Sequence, residues 1–204
     1  MLVSLIKNLE NLDVILASAS PRRFELLNMI GLKFRVVESR VKEGNINPRE
    51  LQEGVKANAQ KKGLAVAEEH PDSLVICADT IVVKKNRIMG KPVDEADARN
   101  MLEQLSGATH KVITAFGLIH YNSQKSLYDL AVTEVTFRKL CSEEIMAYIS
   151  TGEPMDKAGA YGIQGQGSLL IEKINGCYFN VVGFPLSRFF VKMDEFLNDF
   201  KFNG

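Results

Sequence analysis

Tryptophan is absent from the 204-residue chain, and its 11 phenylalanines and 5 tyrosines are scattered, so no run of aromatics offers a base-stacking platform. Surplus charge is absent too: 25 Lys and Arg balance 25 Asp and Glu, which leaves no bulk field for a polyanionic nucleic acid and no basic tail. No apolar run approaches the roughly 20 residues that span a bilayer. The one candidate for a leader, Met1 to Ile6, is cut by Lys7 and Glu10 with no small-residue cleavage site after it, so a signal peptide is not expected. The cysteines, Cys77, Cys141 and Cys177, are odd in number and far apart, which fits neither a disulfide framework nor a metal knuckle. His70, His110 and His120 show no ligand spacing. What is present, 46% hydrophobic and 25% charged residues, is the balance of an ordinary globular chain. The expectation is a reduced, soluble, cytoplasmic protein of one domain over residues 1–204, with no nucleic-acid or membrane partner.

The apolar pattern alternates between strands and helices. Asp13 to Ser18 is a short buried strand, and Ser20-Pro21 opens a helix whose apolar face, Leu26, Leu27 and Ile30, ends at Gly31. Phe34 to Val37 reads as a second strand, and Asn47-Pro48 starts a long helix to about Glu69. Leu74 to Asp79 is a continuously apolar strand that Thr80 to Val83 extends past a kink or bulge. A helix from Asp94 to Leu105, strands over 112–121 and 130–137, and a helix capped by Ser142 through Ile149 follow. Five glycines and Pro154 between Thr151 and Gly167 predict a structured loop. Asn175-Gly176 predicts a hairpin between strands at 168–173 and 178–182, and Pro185 to Phe200 closes the chain as a helix. Interleaved helices and strands predict an α/β domain with a mixed sheet.

Ser18-Ala-Ser-Pro-Arg-Arg23 is the segment richest in chemistry. A helix N-terminus already carries about half a positive charge, so two arginines in the first turn cost roughly 0.3–1 kcal/mol each unless an anion is bound there. Backbone N–H groups, a hydroxyl and two guanidinium forks suit a phosphate chain; the alternative is a solvated first turn. Asp79, a carboxylate closing an apolar strand, projects where α/β sheets place ligands and could hold a hard cation or activate water, or else cap a turn. Lys91, between Gly90 and Pro92, could offer a rigid point charge, although the segment lacks the rest of a P-loop. Lys61, Lys62 and Glu43 are unremarkable singly. Gln164, in Tyr-Gly-Ile-Gln-Gly, carries an amide able to read both a donor and an acceptor edge.

Taken in order, these segments resemble the Maf family of nucleoside triphosphate pyrophosphatases. The matching pieces are Leu16 to Arg23, Ala78-Asp-Thr80, Gly90-Lys-Pro92, Met101 to Gly107, Glu153 to Gly165, Ile174-Asn-Gly176, Tyr178 and Val182 to Leu186, spanning roughly residues 13 to 195. The resemblance implies an elongated mixed β-sheet with flanking helices, in two lobes around a cleft, similar to inosine-triphosphate pyrophosphatases. It implies hydrolysis of a nucleoside triphosphate to the monophosphate and pyrophosphate with Mg²⁺ or Mn²⁺, by a chain that forms a homodimer. The family's phosphate loop falls on Ser20 and Arg22 with Arg23 beside them, its acidic residue on Glu43, its helix lysine on Lys62, its catalytic carboxylate on Asp79 with Thr80 adjacent, and its later lysine on Lys91. Glu43 and Asp79 would hold the metal, and Gln164 with Thr80 would select the base. The loop Tyr161 to Gly165 is similar to that of the branch preferring dTTP and UTP; a 7-methyl-GTP or other modified-nucleotide pyrophosphatase, and a nucleotide-binding regulator of septum formation, are the alternatives. Lys42, where an acid often precedes the Glu, and Cys77, in place of a frequent Gly, depart from the family pattern.

Overall fold

Apolar residues in unbroken runs make strands that are covered on both faces. Val14–Leu16 (β1) and the first half of Leu74–Lys84 (β3) are such runs, and every residue from Leu74 to Asp79 is buried. The computed structural model describes residues 2–198 and pairs β1 in parallel with β3 and with the short, exposed Arg35–Val36 (β2). Arg87–Met89 (β4) turns back antiparallel on β3, through Lys85 and Asn86 at φ of 47° and 63°. Thr109–His120 (β5) and Lys125–Phe137 (β6) form a hairpin, and Ile171–Asn175 (β7) pairs antiparallel with β6. The result is a seven-stranded mixed sheet in the order β2-β1-β3-β5-β6-β7, with β4 on β3. Its helices are Pro21–Met29 (α1), Leu51–Glu69 (α2), Glu95–Leu105 (α3), Ser142–Ile149 (α4), Tyr178–Val182 (α5) and Leu186–Asn198 (α6). This is the expected α/β class. No helix among the described residues is long and apolar enough to cross a membrane.

The chain divides into two compact units. Among the described residues the first comprises 2–79, 114–131 and 183–198; the second comprises 80–113 and 132–182. In the first unit, strand alternation sends Cys77 and Gly117 to one face and Phe116 to the other. On the Cys77 face α2 lies very close: a Cβ added at Gly63 would fall 2.5 Å from Cys77 Sγ and 2.6 Å from Ile119 Cδ1. On the other face Phe116 meets Phe184 and Phe189, the latter from α6. Val3 and Ile6, which precede β1, are buried as well.

The second unit packs Val82, Leu102, Val112, Phe137, Ile149 and Leu170 into a continuous core, with α3 against α4. Asp94 caps α3 by accepting the Asp97 N–H at 2.7 Å. His110 is 2% exposed within this core, and its Nε2 is 2.7 Å from the Tyr161 hydroxyl. Burial pushes its pKa down to about 4. Unfolding returns the imidazole to about 6.5, so it contributes stability above that pH and loses it as pH falls towards 4. Between pH 7 and 4.5 the wild type should lose about 2 kcal/mol more unfolding free energy than His110→Gln, whose side chain cannot titrate. Paired urea denaturation curves at the two pH values measure the difference.

Several boundaries differ from expectation. The long helix begins at Leu51 because Asn47 and Glu50 close a turn first, the Asn47 carbonyl accepting the Glu50 N–H at 2.9 Å. Cys141, not Ser142, occupies the N-cap of α4, where its N–H is taken by Glu144 at 2.9 Å. The Asn175-Gly176 hairpin does not form. A type I′ turn needs positive φ at both central residues, and only Gly176, at 130°, has it. Residues 168–170 are a 3-10 turn and 178–182 are helical. Thr133 Oγ1 accepts the Cys177 N–H at 3.0 Å and the Asn180 amide at 2.9 Å, so the chain after β7 is satisfied by one threonine of β6 rather than by a strand partner. The closing helix is described to Asn198; residues 199–200 lie outside the described residues.

Candidate active site

Because β1 stops at Leu16, opposite Ile76, while β3 continues to Lys84, Asp79 lies inside its strand and beyond the carboxyl end of its neighbour. Asp79 therefore does not close its strand: β3 runs on through Thr80 to Lys84, in line with the expected extension to Val83, and β4 pairs with Val82 to Lys84. Alternation from Cys77 turns Asp79 towards α2, and Lys62, next to the close-packed Gly63, meets it there. Lys62 Nζ donates to Asp79 Oδ1 at 2.7 Å and to Glu43 Oε1. One ammonium thus joins two acids of very different exposure, the Asp79 side chain at 6% and the Glu43 side chain at 58%.

That difference separates their proton affinities. Burial raises the Asp79 pKa above the usual carboxylate range; the Lys62 charge opposes the rise and the Glu43 charge adds to it. Glu43 goes the other way, held low first by its hydrogen bond from Lys62. Of the pair, Asp79 is the better proton acceptor and Glu43 the more firmly ionised.

Helix α2 also shapes the segment that carries Glu43. Asn58, Lys61 and Lys62 share one helix face by their i, i+3, i+4 spacing. The Asn58 amide pairs with both backbone groups of Gly44, accepting its N–H at 2.8 Å and donating to its carbonyl at 3.2 Å. Lys61 Nζ donates to the Lys42 carbonyl at 3.1 Å. Asn58, 6% exposed, escaped the sequence reading; its signal was a lone polar residue in the buried stripe Val55, Ala59, Val66.

The start of α1 belongs to the same unit. Pro21 is the first helical residue and Ser20 the N-cap, whose carbonyl accepts the Phe24 N–H at 3.2 Å and whose own N–H donates to Ser18 Oγ at 3.2 Å. Ser20 and Arg22 are half-buried. Arg23 is 8% exposed and directed inward: its Nε donates to the Gly183 carbonyl at 3.1 Å, and one Nη donates to Ser18 Oγ at 3.1 Å and to the Ala78 carbonyl at 3.0 Å. Burial lowers its pKa, with the Asp79 charge working against that. The guanidinium therefore fixes the backbone immediately before Asp79.

Ser20, Arg22, Arg23, Glu43, Lys62 and Asp79 thus fall in the first unit, while Thr80, Lys91 and Gln164 fall in the second. Thr80 follows Asp79 along β3 and is half-buried. Lys91 is exposed between Pro92, which is buried, and Gly90, whose carbonyl accepts the Gly159 N–H at 2.9 Å. Gln164 is exposed.

No cluster of three or more His, Cys, Asp or Glu side chains suited to a metal occurs among the described residues. Two carboxylates converging on one cation are nonetheless the donor set that Mg²⁺ accepts, since it keeps several waters and takes phosphate oxygens for the remaining positions.

A mixed sheet whose first unit carries a buried acid, an ammonium shared with a second acid and an arginine-bearing helix start defines the chain as an α/β protein with a cluster of charged side chains at the carboxyl end of β1. The family model described as Maf-like protein matches residues 13–196, and the chain belongs to that family. Two proteins named dTTP/UTP pyrophosphatase are each 46% identical to it: that of Acetivibrio thermocellus over 194 residues, covering 92% of this chain and 94% of the relative, and that of Dictyoglomus turgidum over 192 residues, covering 94% and 97%. A third so named, from Syntrophomonas wolfei subsp. wolfei, is 49% identical over 174 residues, covering 85% and 92%.

Proposed function

We propose that the protein is a nucleoside triphosphate pyrophosphatase acting on dTTP and UTP, splitting the α–β phosphoanhydride to give the monophosphate and pyrophosphate. The observation that carries this reading is the Lys62 ammonium shared by a buried and an exposed carboxylate. The names of the relatives supply the substrate.

Catalysis of this kind is largely positioning and charge neutralisation. Arg22, Lys62 and Lys91 bind the triphosphate oxygens, the Ser20 hydroxyl adds a neutral donor, and Arg23 serves from behind by holding the Ala78 carbonyl in place. Water gives its proton to the Asp79 carboxylate, whose burial-raised pKa suits it to accept one. Glu43 and Asp79 are the residues that would hold Mg²⁺ or Mn²⁺, which when bound offsets phosphate charge and eases departure of pyrophosphate. Gln164 and Thr80 select the base: an amide pairs with the carbonyl and imide edge of thymine or uracil, and finds the pattern reversed on cytosine.

Pyrophosphate release from dTTP, UTP, dCTP, GTP and 7-methyl-GTP tests the assignment. dTTP and UTP should exceed the others in kcat/KM by roughly tenfold or more, about 1.4 kcal/mol. Preference for a purine would remove Gln164 from selection. Tight dTTP binding without metal-dependent pyrophosphate release would replace the enzyme with a binding module.

A further inference from the structure

Residues Gly162 to Gln164 are a loop that leads into the 3-10 turn Gly165–Leu170, and neither the loop nor the first residues of that turn have backbone N–H partners within the turn itself. Within the second unit they find them on two side chains. Glu153 Oε2 accepts the Gln166 N–H at 3.1 Å, and Glu153 Oε1 accepts the Gly167 N–H at 3.2 Å. Oε1 also accepts the Tyr148 hydroxyl at 2.9 Å, and that phenol oxygen in turn accepts the Gly162 N–H at 3.2 Å. Backbone groups on both sides of Gln164 therefore end on one carboxylate and one phenol.

The fit is close. A Cβ at Gly165 would lie 2.8 Å from Glu153 Oε2, and one at Gly167 would lie 2.2 Å from the Gly162 carbonyl oxygen. The base of the arrangement is held as well. Tyr148 is 4% exposed in the core, and Lys157 Nζ donates to the Glu153 carbonyl at 2.6 Å. An ionised carboxylate only accepts, so it can serve three donors at once; a primary amide would set its own N–H against one of them.

We propose that Glu153, through Tyr148 and the amides of Gly162, Gln166 and Gly167, is a positioning residue that holds the loop in the conformation presenting Gln164 to the base. This rests on the reading of Gln164 as the base-selecting residue. Glu153 does not touch the reacting atoms, so its loss acts on nucleotide binding and discrimination and leaves the chemical step largely intact. Because it works through Gln164, the two losses are not additive.

The test compares Glu153→Gln, Tyr148→Phe, Gln164→Ala and the Glu153→Gln/Gln164→Ala double variant, using dTTP and dCTP kinetics and hydrogen exchange at the Gln166 and Gly167 amides. In Glu153→Gln those amides should exchange roughly tenfold faster or more while global unfolding stays close to wild type. The KM for dTTP should rise roughly tenfold with kcat within about threefold, and the preference for dTTP over dCTP should fall. The double variant should discriminate no worse than Gln164→Ala alone. Tyr148→Phe, which keeps the core filled, should move every readout the same way by a smaller factor, and it carries the test if Glu153→Gln fails to fold. Unchanged exchange at the two amides, or faster exchange with unchanged KM and preference, would overturn the proposal. Should Gln164→Ala keep full preference, the reading of Gln164 falls separately, and the KM of Glu153→Gln still decides whether the carboxylate serves nucleotide binding.

Discussion

Asp79→Asn should lower kcat for dTTP hydrolysis by about 10³-fold, roughly 4 kcal/mol of transition-state stabilisation, while nucleotide affinity changes by less than about threefold. The substitution is isosteric, and the amide oxygen can still accept from Lys62, which now reaches Asp79 Oδ1 at 2.7 Å. What it removes is the ability to take a proton from water. It also removes one of the two carboxylates that would hold the metal, but in metal-free buffer it takes one negative charge from a site that must receive a polyanion, so binding measured there has no electrostatic reason to weaken. Calorimetric titration with a non-hydrolysable dTTP analogue, beside a pyrophosphate-release assay, measures the two effects separately. Near-normal turnover would take Asp79 out of proton transfer; equal losses in binding and turnover would make it chiefly a binding group.

The elements leading to Asp79 were legible because their signals are local. Pro21 after Ser20 announces α1, and the run from Leu74 to Ala78 can only be a buried strand or helix segment. Asp94 announces α3 for the same reason, since a cap acts within one turn. Where the deciding contact is distant in sequence, the reading failed or stopped short. Residues 178–182 looked like a strand, and they are helical where Asn180 reaches Thr133, 47 residues away. Lys85-Asn86 carries no glycine, yet both residues adopt positive φ once β4 finds β3. The candidate site divides the same way. Glu43, Lys62 and Asp79 were linked by resemblance, and the structure places one ammonium on both acids. The buried stripe of α2 marked Asn58 as an odd polar residue but not Gly44 as its partner, and nothing local marked Glu153 as the acceptor for a glycine-rich loop.

Arg23 is the sharpest case, and it carries the largest expected effect on stability. Two arginines at a helix start suggested two phosphate contacts, but Arg23 donates to Ser18, Ala78 and Gly183, the last 160 residues away. A planar guanidinium spreads its donors over separate nitrogens on a rigid fork, and the single nitrogen of a lysine cannot occupy the Nε and Nη positions at once. In Arg23→Lys at least one of the hydrogen bonds to the Ala78 and Gly183 carbonyls is lost inside a buried site, at about 1.5–3 kcal/mol for a bond from a charged donor. The new ammonium is also buried with poorer hydrogen bonding beside Asp79, so the total loss should be about 3–5 kcal/mol. For a chain of this size that is a fall of roughly 10–15 °C in Tm. Ser18→Ala, which removes one acceptor and leaves both carbonyl bonds, should cost about 1 kcal/mol and provides the scale. Thermal and urea unfolding without nucleotide decide the matter, because a residue serving only substrate phosphates would leave the apoprotein unchanged and raise KM alone. If instead Arg23→Lys unfolds early and its folded fraction turns over slowly, the second arginine of the motif holds the backbone that aims Asp79.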